Sequence, residues 1–323
     1  MHTPLLTLVT AYIVVCADLA HAQGNYPSRA LRWIVPFAPG GPADVLARVI
    51  GHKLGESWGQ QVVIDNRTGA GGNIGTEIVA KAAPDGHTLL LGYVGPLTIN
   101  PSLYRKMPYD TLKDFAPVTL LATSTLVIAA HPASQIRALK DLIARARASP
   151  GALTFGSAGN GSPAHLAGEL INAMAGVKLT HVPYKGAAPV ITDLLGSQVT
   201  LGIAALPAVI QHAKAGRLTA VGVSSLKRSI FAPDVPTIAE SGLQGYEVEN
   251  WQGLLLPAGA PQDVVNKLHA EVIKILGMPD VKERLYGQGF EILTQMPAQF
   301  GAYLKADIRK WARVVKSSGA TVD

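Results

Sequence analysis

From Leu31 onward, apolar positions recur with two alternating periods. Short runs rich in β-branched residues alternate with longer stretches whose apolar residues fall at helical spacing, the pattern of an α/β protein with layers on largely parallel sheets. Leu31 to Val35, Val62 to Asp65 and Thr88 to Tyr93 read as strands. Between them, Val45, Leu46, Val49, Ile50 and Leu54 share one helix face, as do Ile74, Ile78, Val79 and Ala82. A long extended segment, Ala116 to Ala130, follows and exceeds an ordinary strand. Next comes a helix that buries Ile136, Leu139, Leu142 and Ile143 and turns Arg137, Lys140, Arg145 and Arg147 to solvent. The alternation then restarts: Leu153 to Phe155, a helix to Met174, Thr180 to Val182, a helix to Leu195, Leu201 to Ala204, a helix to Ala215, and Ala220 to Ser224. A second extended stretch, Tyr246 to Leu256, precedes helices near Asp263 to Leu276, Pro279 to Gln288 and Pro297 to Ser317.

Two long extended segments flanking an inserted βα unit predict two lobes joined by two crossing strands. Residues 23–124 with 249–323 form lobe 1 in this reading, and residues 125–248 form lobe 2. Lobes so joined enclose a cleft, and bending about the strands opens and closes it.

The segment before Leu31 has a different character. Leu5 to Cys16 is an almost unbroken apolar run followed by Ala20-His21-Ala22, which reads as a secretory signal with an A-x-A cleavage site over residues 1–22. Its n-region carries only His2, and Val15 stands before Cys16 where a lipid-attachment site wants a small residue. Export places the mature protein in the periplasm. Cleavage would remove the one cysteine, which excludes disulfide scaffolds, thiol enzymes and thiolate metal sites.

Composition narrows the chemistry further. With 48% hydrophobic and 15% charged residues the chain is a folded protein, and at 323 residues it has room for two cores. Aromatics reach only 6% beside 33 Gly and 22 Pro, which moves ligand contacts toward main chain and small side chains. The 28 Lys and Arg against 22 Asp and Glu favour anions mildly, but they are scattered and form no nucleic-acid-binding stripe.

Three strand-to-helix junctions are built almost wholly of small residues. The first is Pro36-Phe37-Ala38-Pro39-Gly40-Gly41-Pro42-Ala43-Asp44, with Pro42 suited to the first helical position. The second is Gly156-Ser157-Ala158-Gly159-Asn160-Gly161-Ser162-Pro163, with Ser162 as N-cap and His165 inside the helix that follows. A third, Tyr184-Lys185-Gly186-Ala187-Ala188-Pro189, precedes the helix carrying Asp193. The first N–H groups of a helix lack internal partners, and small residues let an anion approach them. One such junction per lobe makes an anion pincer, with apolar contacts from Phe37 and Tyr93. Asp44 and Asp193 are candidates for touching an ammonium or a water, and Tyr184 for a place on the rim. The competing reading is that Gly-rich βα turns merely reverse the chain; Thr68-Gly69-Ala70-Gly71-Gly72-Asn73 is either a rim loop or such a turn.

Enzyme readings meet obstacles. Gly159 to Ala164 fits a loose G-x-G-x-x-A pattern, but the next strand ends at Tyr184-Lys185 without an acid to hold a ribose. Phe155 stands where a G-x-S-x-G elbow needs its first glycine. No metal-binding spacing occurs; His165 and His181 read by default as structural groups. No cofactor is expected. An exported enzyme using the same cleft stays open as the alternative class.

These residues resemble the extracytoplasmic substrate-binding proteins of tripartite tricarboxylate transporters, the Bug family. The resemblance rests on Val35-Pro36-Phe37-Ala38-Pro39-Gly40-Gly41 with Asp44 and Arg48, and on Asp65-Asn66-Arg67 with Gly69-Ala70-Gly71-Gly72. Pro84-Asp85-Gly86-His87-Thr88, Gly156-Ser157 through Glu169, His181-Val182-Pro183-Tyr184-Lys185-Gly186 and Asp234-Val235-Pro236-Thr237 extend it over the whole mature chain. It implies a two-lobe periplasmic-binding-protein fold, type II-like, that delivers a small carboxylate to membrane permease subunits. A sensor kinase is a further candidate partner. It also implies that main-chain donors of Phe37 to Gly41 and of Ser157 to Ser162 hold the carboxylate, with ordered waters assisting. Ala204-Ala205 departs from the family's bulkier residue at a strand end, which bears on pocket volume.

Overall fold

A computed structural model describes residues 26–319 and Val322; the signal segment and its cleavage site lie outside the described residues. Lobe 1 opens with β1 (Leu31–Val35), α1 (Pro42–Trp58), β2 (Val62–Asn66), α2 (Asn73–Ala80) and β3 (Thr88–Tyr93). A π-helical turn, Gly95–Ile99, and the short α3 (Asn100–Leu103) lead to the long crossing strand β4 (Phe115–Ala130). Lobe 2 comprises α4 (Leu139–Ala148), β5 (Thr154–Ser157), α5 (Pro163–Ala175), β6 (Thr180–Pro183), α6 (Ala187–Leu195), β7 (Leu201–Ala205), α7 (Leu206–Lys214) and β8 (Thr219–Val223). The chain returns along β9 (Glu249–Pro257) and ends with α8 (Gln262–Gly277), α9 (Pro279–Gly287), β10 (Glu291–Ile292) and α10 (Pro297–Ser318).

All strands join one sheet in the order β2-β1-β3-β9-β4-β7-β5-β6, with β8 and β10 both pairing β4. The parallel part is confined to β2-β1-β3 and to β6-β5-β7, and every pairing of β4 and β9 is antiparallel. The sheets are therefore mixed rather than mainly parallel. The reason is topological: a strand that crosses from one lobe to the other meets its return strand running the opposite way. β4 pairs β9 through Thr125 and takes up β7 from Leu126, so the lobes change over between these two residues.

Alternation along β1 shows how the pattern sets the layers. Leu31, Trp33 and Val35 pack into a core with Leu46, Ile50 and Leu54 of α1 and Leu268 and Val272 of α8, while Ile34 points to the opposite face. Arg32 is exposed and pairs with Asp65 across the strands. In lobe 2, Val127 and Ala129 join Ile191, Leu194 and Val209 in a separate core. The remaining cluster runs through both lobes, because α10 packs against β4 and against α5. Burying each large apolar side chain contributes about 1.5–3 kcal/mol, so α10 couples the lobes as well as covering the first.

Candidate ligand-binding cleft

The first junction leaves β1 at Pro36 and enters α1 at Pro42. Gly41 is the N-cap and no side chain caps the helix. Gly40 takes φ +80°, a conformation glycine adopts without strain. That turn aims the Gly40 N–H at Asp44 Oδ2, 2.9 Å away. The same oxygen accepts from Arg48 Nε at 2.8 Å, and Arg48 reaches Asn66, whose amide donates to the Phe37 carbonyl. Asp44 is buried at 3% exposure, and its Oδ1 has no donor among the described residues. Burial opposes its ionisation, but the Arg48 guanidinium and the Gly40 N–H outweigh it and hold the carboxyl below the usual range. Asp44 thus braces the loop. Ala38, Pro39 and Gly40 remain exposed.

The turn at Gly69–Gly72 supports this loop from behind. A Cβ on Gly75 would lie 2.6 Å from the Arg67 carbonyl and 2.9 Å from Pro36 Cα, and one on Gly72 would touch Pro96 and Phe37. The glycines of this segment permit a close approach to the first junction, which reversing the chain alone would not require.

In the second junction Ser162 caps α5 by accepting from the His165 N–H at 3.2 Å. Gly161 N–H donates to His165 Nδ1 at 3.1 Å, and Gly159 N–H to Ser157 Oγ at 3.2 Å. Ser157 Oγ also lies 2.7 Å from His181 Nε2 and 3.4 Å from Ser162 Oγ. The two imidazoles stack at 4.0 Å between centroids, with the Phe155 ring 4.9 Å from that of His181. Burial pushes both histidines down to about 4, helped at His181 by the neighbouring ring. His165, His181 and Ser157 form a neutral frame that shapes the loop. Sequence reasoning missed the Ser157–His181 pair, because 24 residues separate its members and only the parallel β5–β6 pairing brings them together.

The third junction contributes Tyr184, whose hydroxyl donates to Asp193 Oδ2 at 2.7 Å. A Cβ on Gly156 would sit 3.0 Å from the Tyr184 ring, and one on Gly159 would sit 3.2 Å from its carbonyl. Tyr184 therefore lies against the second junction, with burial and then Asp193 pushing its hydroxyl up to about 12.

Among the described residues, the N–H groups of Ala38 and Gly41 in lobe 1 and of Ala158 and Asn160 in lobe 2 have no protein acceptor. Those of Gly40, Gly159 and Gly161 are engaged within their own loops. A chain of contacts links the two loops. Phe37 packs near Gly72, and Asn100 Nδ2 lies 3.4 Å from the Gly71 carbonyl. Leu103, at the end of the same short helix, is the side chain that a Cβ on Gly161 would meet at 2.4 Å.

Beside Phe37, Tyr93 of β3 and the neighbouring strand β9 bring polar side chains together. The Phe37 and Tyr93 rings meet edge to face at 4.8 Å, and Tyr93 sits in register with Gln252 of β9. Burial pushes the Tyr93 hydroxyl up to about 12, partly offset by the Asn250 amide beside it. Asn250 Nδ2 donates to Ser124 Oγ at 2.8 Å. Asn250 and Gln252 went unnoticed in the sequence; two amides at alternate positions just before the apolar run Gly253–Pro257 were the available signal.

One other feature lies away from these loops. A cavity of about 530 Å³, lined by His131, Arg145, Leu153 and Thr200, opens where β5 and β7 begin, at the opposite end of those strands from the junctions. Arg145, its one guanidinium, is bonded to the Ser134 carbonyl. Among the described residues no group of three or more His, Cys, Asp or Glu side chains is placed to hold a metal, and no helix is long and apolar enough to cross a membrane.

A family profile described as tripartite tricarboxylate transporter family receptor, TctC, matches residues 46–320. A protein in the tcbD-tcbE intergenic region of Pseudomonas sp. strain P51 is 43% identical over 291 residues, covering 90% of this chain and 86% of its own. Protein BugT of Bordetella pertussis is 37% identical over 98% of both chains. Among solved structures, an R. palustris protein with adipate superposes with TM-score 0.80 at 37% identity, covering 92% of this chain and all of its own.

Proposed function

The chain belongs to the TctC family of tripartite tricarboxylate transporter receptors, and from that premise we propose that it grips a small organic carboxylate between the first and second junctions. The observation that carries this reading is the pair of exposed loops with unengaged amides, one preceding the uncapped α1 and one in lobe 2. Each amide that meets a carboxylate oxygen makes a charge-assisted hydrogen bond contributing roughly 1.5–3 kcal/mol. Four of them, less the cost of ordering the ligand, reach the roughly 8 kcal/mol of micromolar binding without any Lys or Arg. Gly40, Gly159 and Gly161 act differently in this account: their own hydrogen bonds fold the loops so that Ala38, Gly41, Ala158 and Asn160 point outward. The relative with bound adipate supports a carboxylate ligand.

Capture without turnover fits the surroundings of Ser157. The residue is fully buried, and its hydroxyl is enclosed by Gly159, Ser162 and His181, so it presents no nucleophile to the cleft. Residues 1–22 serve as the cleaved export signal in this account, and the closed receptor hands its cargo to the transporter's membrane subunits.

Thermal-shift screening of the mature protein against a carboxylate library tests the reading. A ligand at about 100 times its Kd adds about 2.7 kcal/mol of stability. Gly41 has φ −77°, and a Cβ there meets nothing closer than 3.6 Å, so Gly41→Val keeps the fold while obstructing the loop. The expected result is a carboxylate-specific shift that this variant loses. No shift with any carboxylate, or an unchanged shift in the variant, overturns it.

A further inference from the structure

Two buried oxygens on β9, among the described residues, have no donor. Asn250 is 8% exposed and Gln252 1%, and neither Asn250 Oδ1 nor Gln252 Oε1 has a hydrogen-bond partner among the described residues. Leaving such a group unpaired costs about 1–3 kcal/mol, so two on adjacent same-face positions of one strand are a feature that needs an occupant. Their direction follows from the strand. Side chains alternate across a strand, and Trp251 between them turns toward α10, where its Nε1 donates to Asp307 and its ring meets Phe300. Asn250 and Gln252 therefore face the other way, toward the side where Gln252 is in register with Tyr93 and Tyr93 touches Phe37 of the first junction.

We infer that Asn250 and Gln252 form a specificity subsite that accepts a hydrogen bond from a neutral donor on the ligand, a hydroxyl or an amide N–H, while the loop amides hold its carboxylate. The inference rests on the carboxylate-capture reading above and deepens it. An ammonium is a poorer match. The polar neighbours of the two amides, Tyr93 and Ser124, are neutral, and a buried cation there would lack a counter-charge. A site built to bond a ligand hydroxyl also discriminates strongly against the analogue without it, because the site's own buried groups are left unpaired.

The experiment is calorimetric titration of the mature protein with matched probes: succinate, malate and aspartate, and benzoate with 4-hydroxybenzoate. In at least one set the hydroxylated member binds about tenfold or more tighter than its parent, and malate binds tighter than aspartate. Gln252→Met, close in volume, brings the two members of that set within about twofold, by weakening the hydroxylated member, strengthening the parent, or both. Its urea midpoint without ligand stays the same or rises, since an unpaired oxygen has been removed; a structural role would lower it. Asn250→Leu, checked by the same melt, gives a second reading. Binding of the probes with no preference for a hydroxyl, preference for aspartate over malate, or equal weakening of both members in Gln252→Met overturns the subsite and leaves carboxylate capture standing. No binding of any probe by a folded protein overturns both.

Discussion

Asp44→Asn separates a brace from a ligand contact. The carboxylate joins the Gly40 N–H to Arg48 inside the first junction, with one oxygen serving both donors. The substitution keeps the shape and leaves a neutral acceptor. A charged acceptor is worth roughly 1.5–3 kcal/mol to an N–H and a neutral one about 1 kcal/mol, so the Gly40 bond loses about 1 kcal/mol. The Arg48 pair adds little, because the guanidinium is half exposed and such pairs contribute about 0–1 kcal/mol. The total loss of stability is therefore about 1–2 kcal/mol, read as a lower urea midpoint at unchanged slope. Affinity for a carboxylate such as adipate falls by a similar energy, roughly tenfold, as the loop samples other conformations. The decisive comparison is succinate against aspartate: a brace weakens both equally. A loss confined to aspartate would place Asp44 in contact with the ligand ammonium and refute the bracing argument.

Further outcomes follow from the same geometry. Gly161→Ala puts a Cβ 2.4 Å from Leu103 Cδ2 at a residue with φ +72°, so it costs about 1–2 kcal/mol in backbone strain alone and weakens carboxylate binding; Leu103→Ala in the same chain restores part of the affinity in calorimetry, whereas no restoration contradicts the inter-lobe contact. His165, held down to about 4 from 6.5, stays neutral in the fold while the unfolded chain takes up a proton, so stability falls as pH drops from 6.5 toward 4, by about 3 kcal/mol at most. His165→Gln flattens that part of a melting-versus-pH curve, and an unchanged slope rejects the assignment. Glu249, at the start of β9, is pushed up to about 7 by burial and then by Glu247, so its contribution is present below 4.5 and is lost as pH rises through 7. Glu249→Gln is therefore more stable than the parent at pH 8 and little different at pH 4; the reverse order would contradict the burial argument.

Much of this architecture was written in local pattern. The helices of both lobes and the two long crossing segments follow from apolar spacing, and the small-residue junctions mark loops whose backbone the fold leaves exposed. What local pattern misses depends on long-range pairing. β10 is two residues long and carries no period of its own; it exists because β4 has a free edge there. The Ser157–His181 frame and the Gly161–Leu103 contact join residues far apart in sequence, so the loop glycines looked interchangeable as donors although several of their amides are spent internally. Asn250 and Gln252 illustrate the same limit: the apolar run after them predicts a buried strand, but only pairing with Tyr93 and Ser124 reveals which side they face.

Capture by two opposed loops is tested most directly by amide chemical shifts in ¹⁵N-labelled mature protein titrated with adipate. The account predicts that Ala38 and Gly41 in one lobe and Ala158 and Asn160 in the other move downfield together, along one saturation curve with one Kd, while the Gly40 and Gly161 amides move little. Saturable binding with shifts confined to a single lobe, or to neither loop, would contradict it.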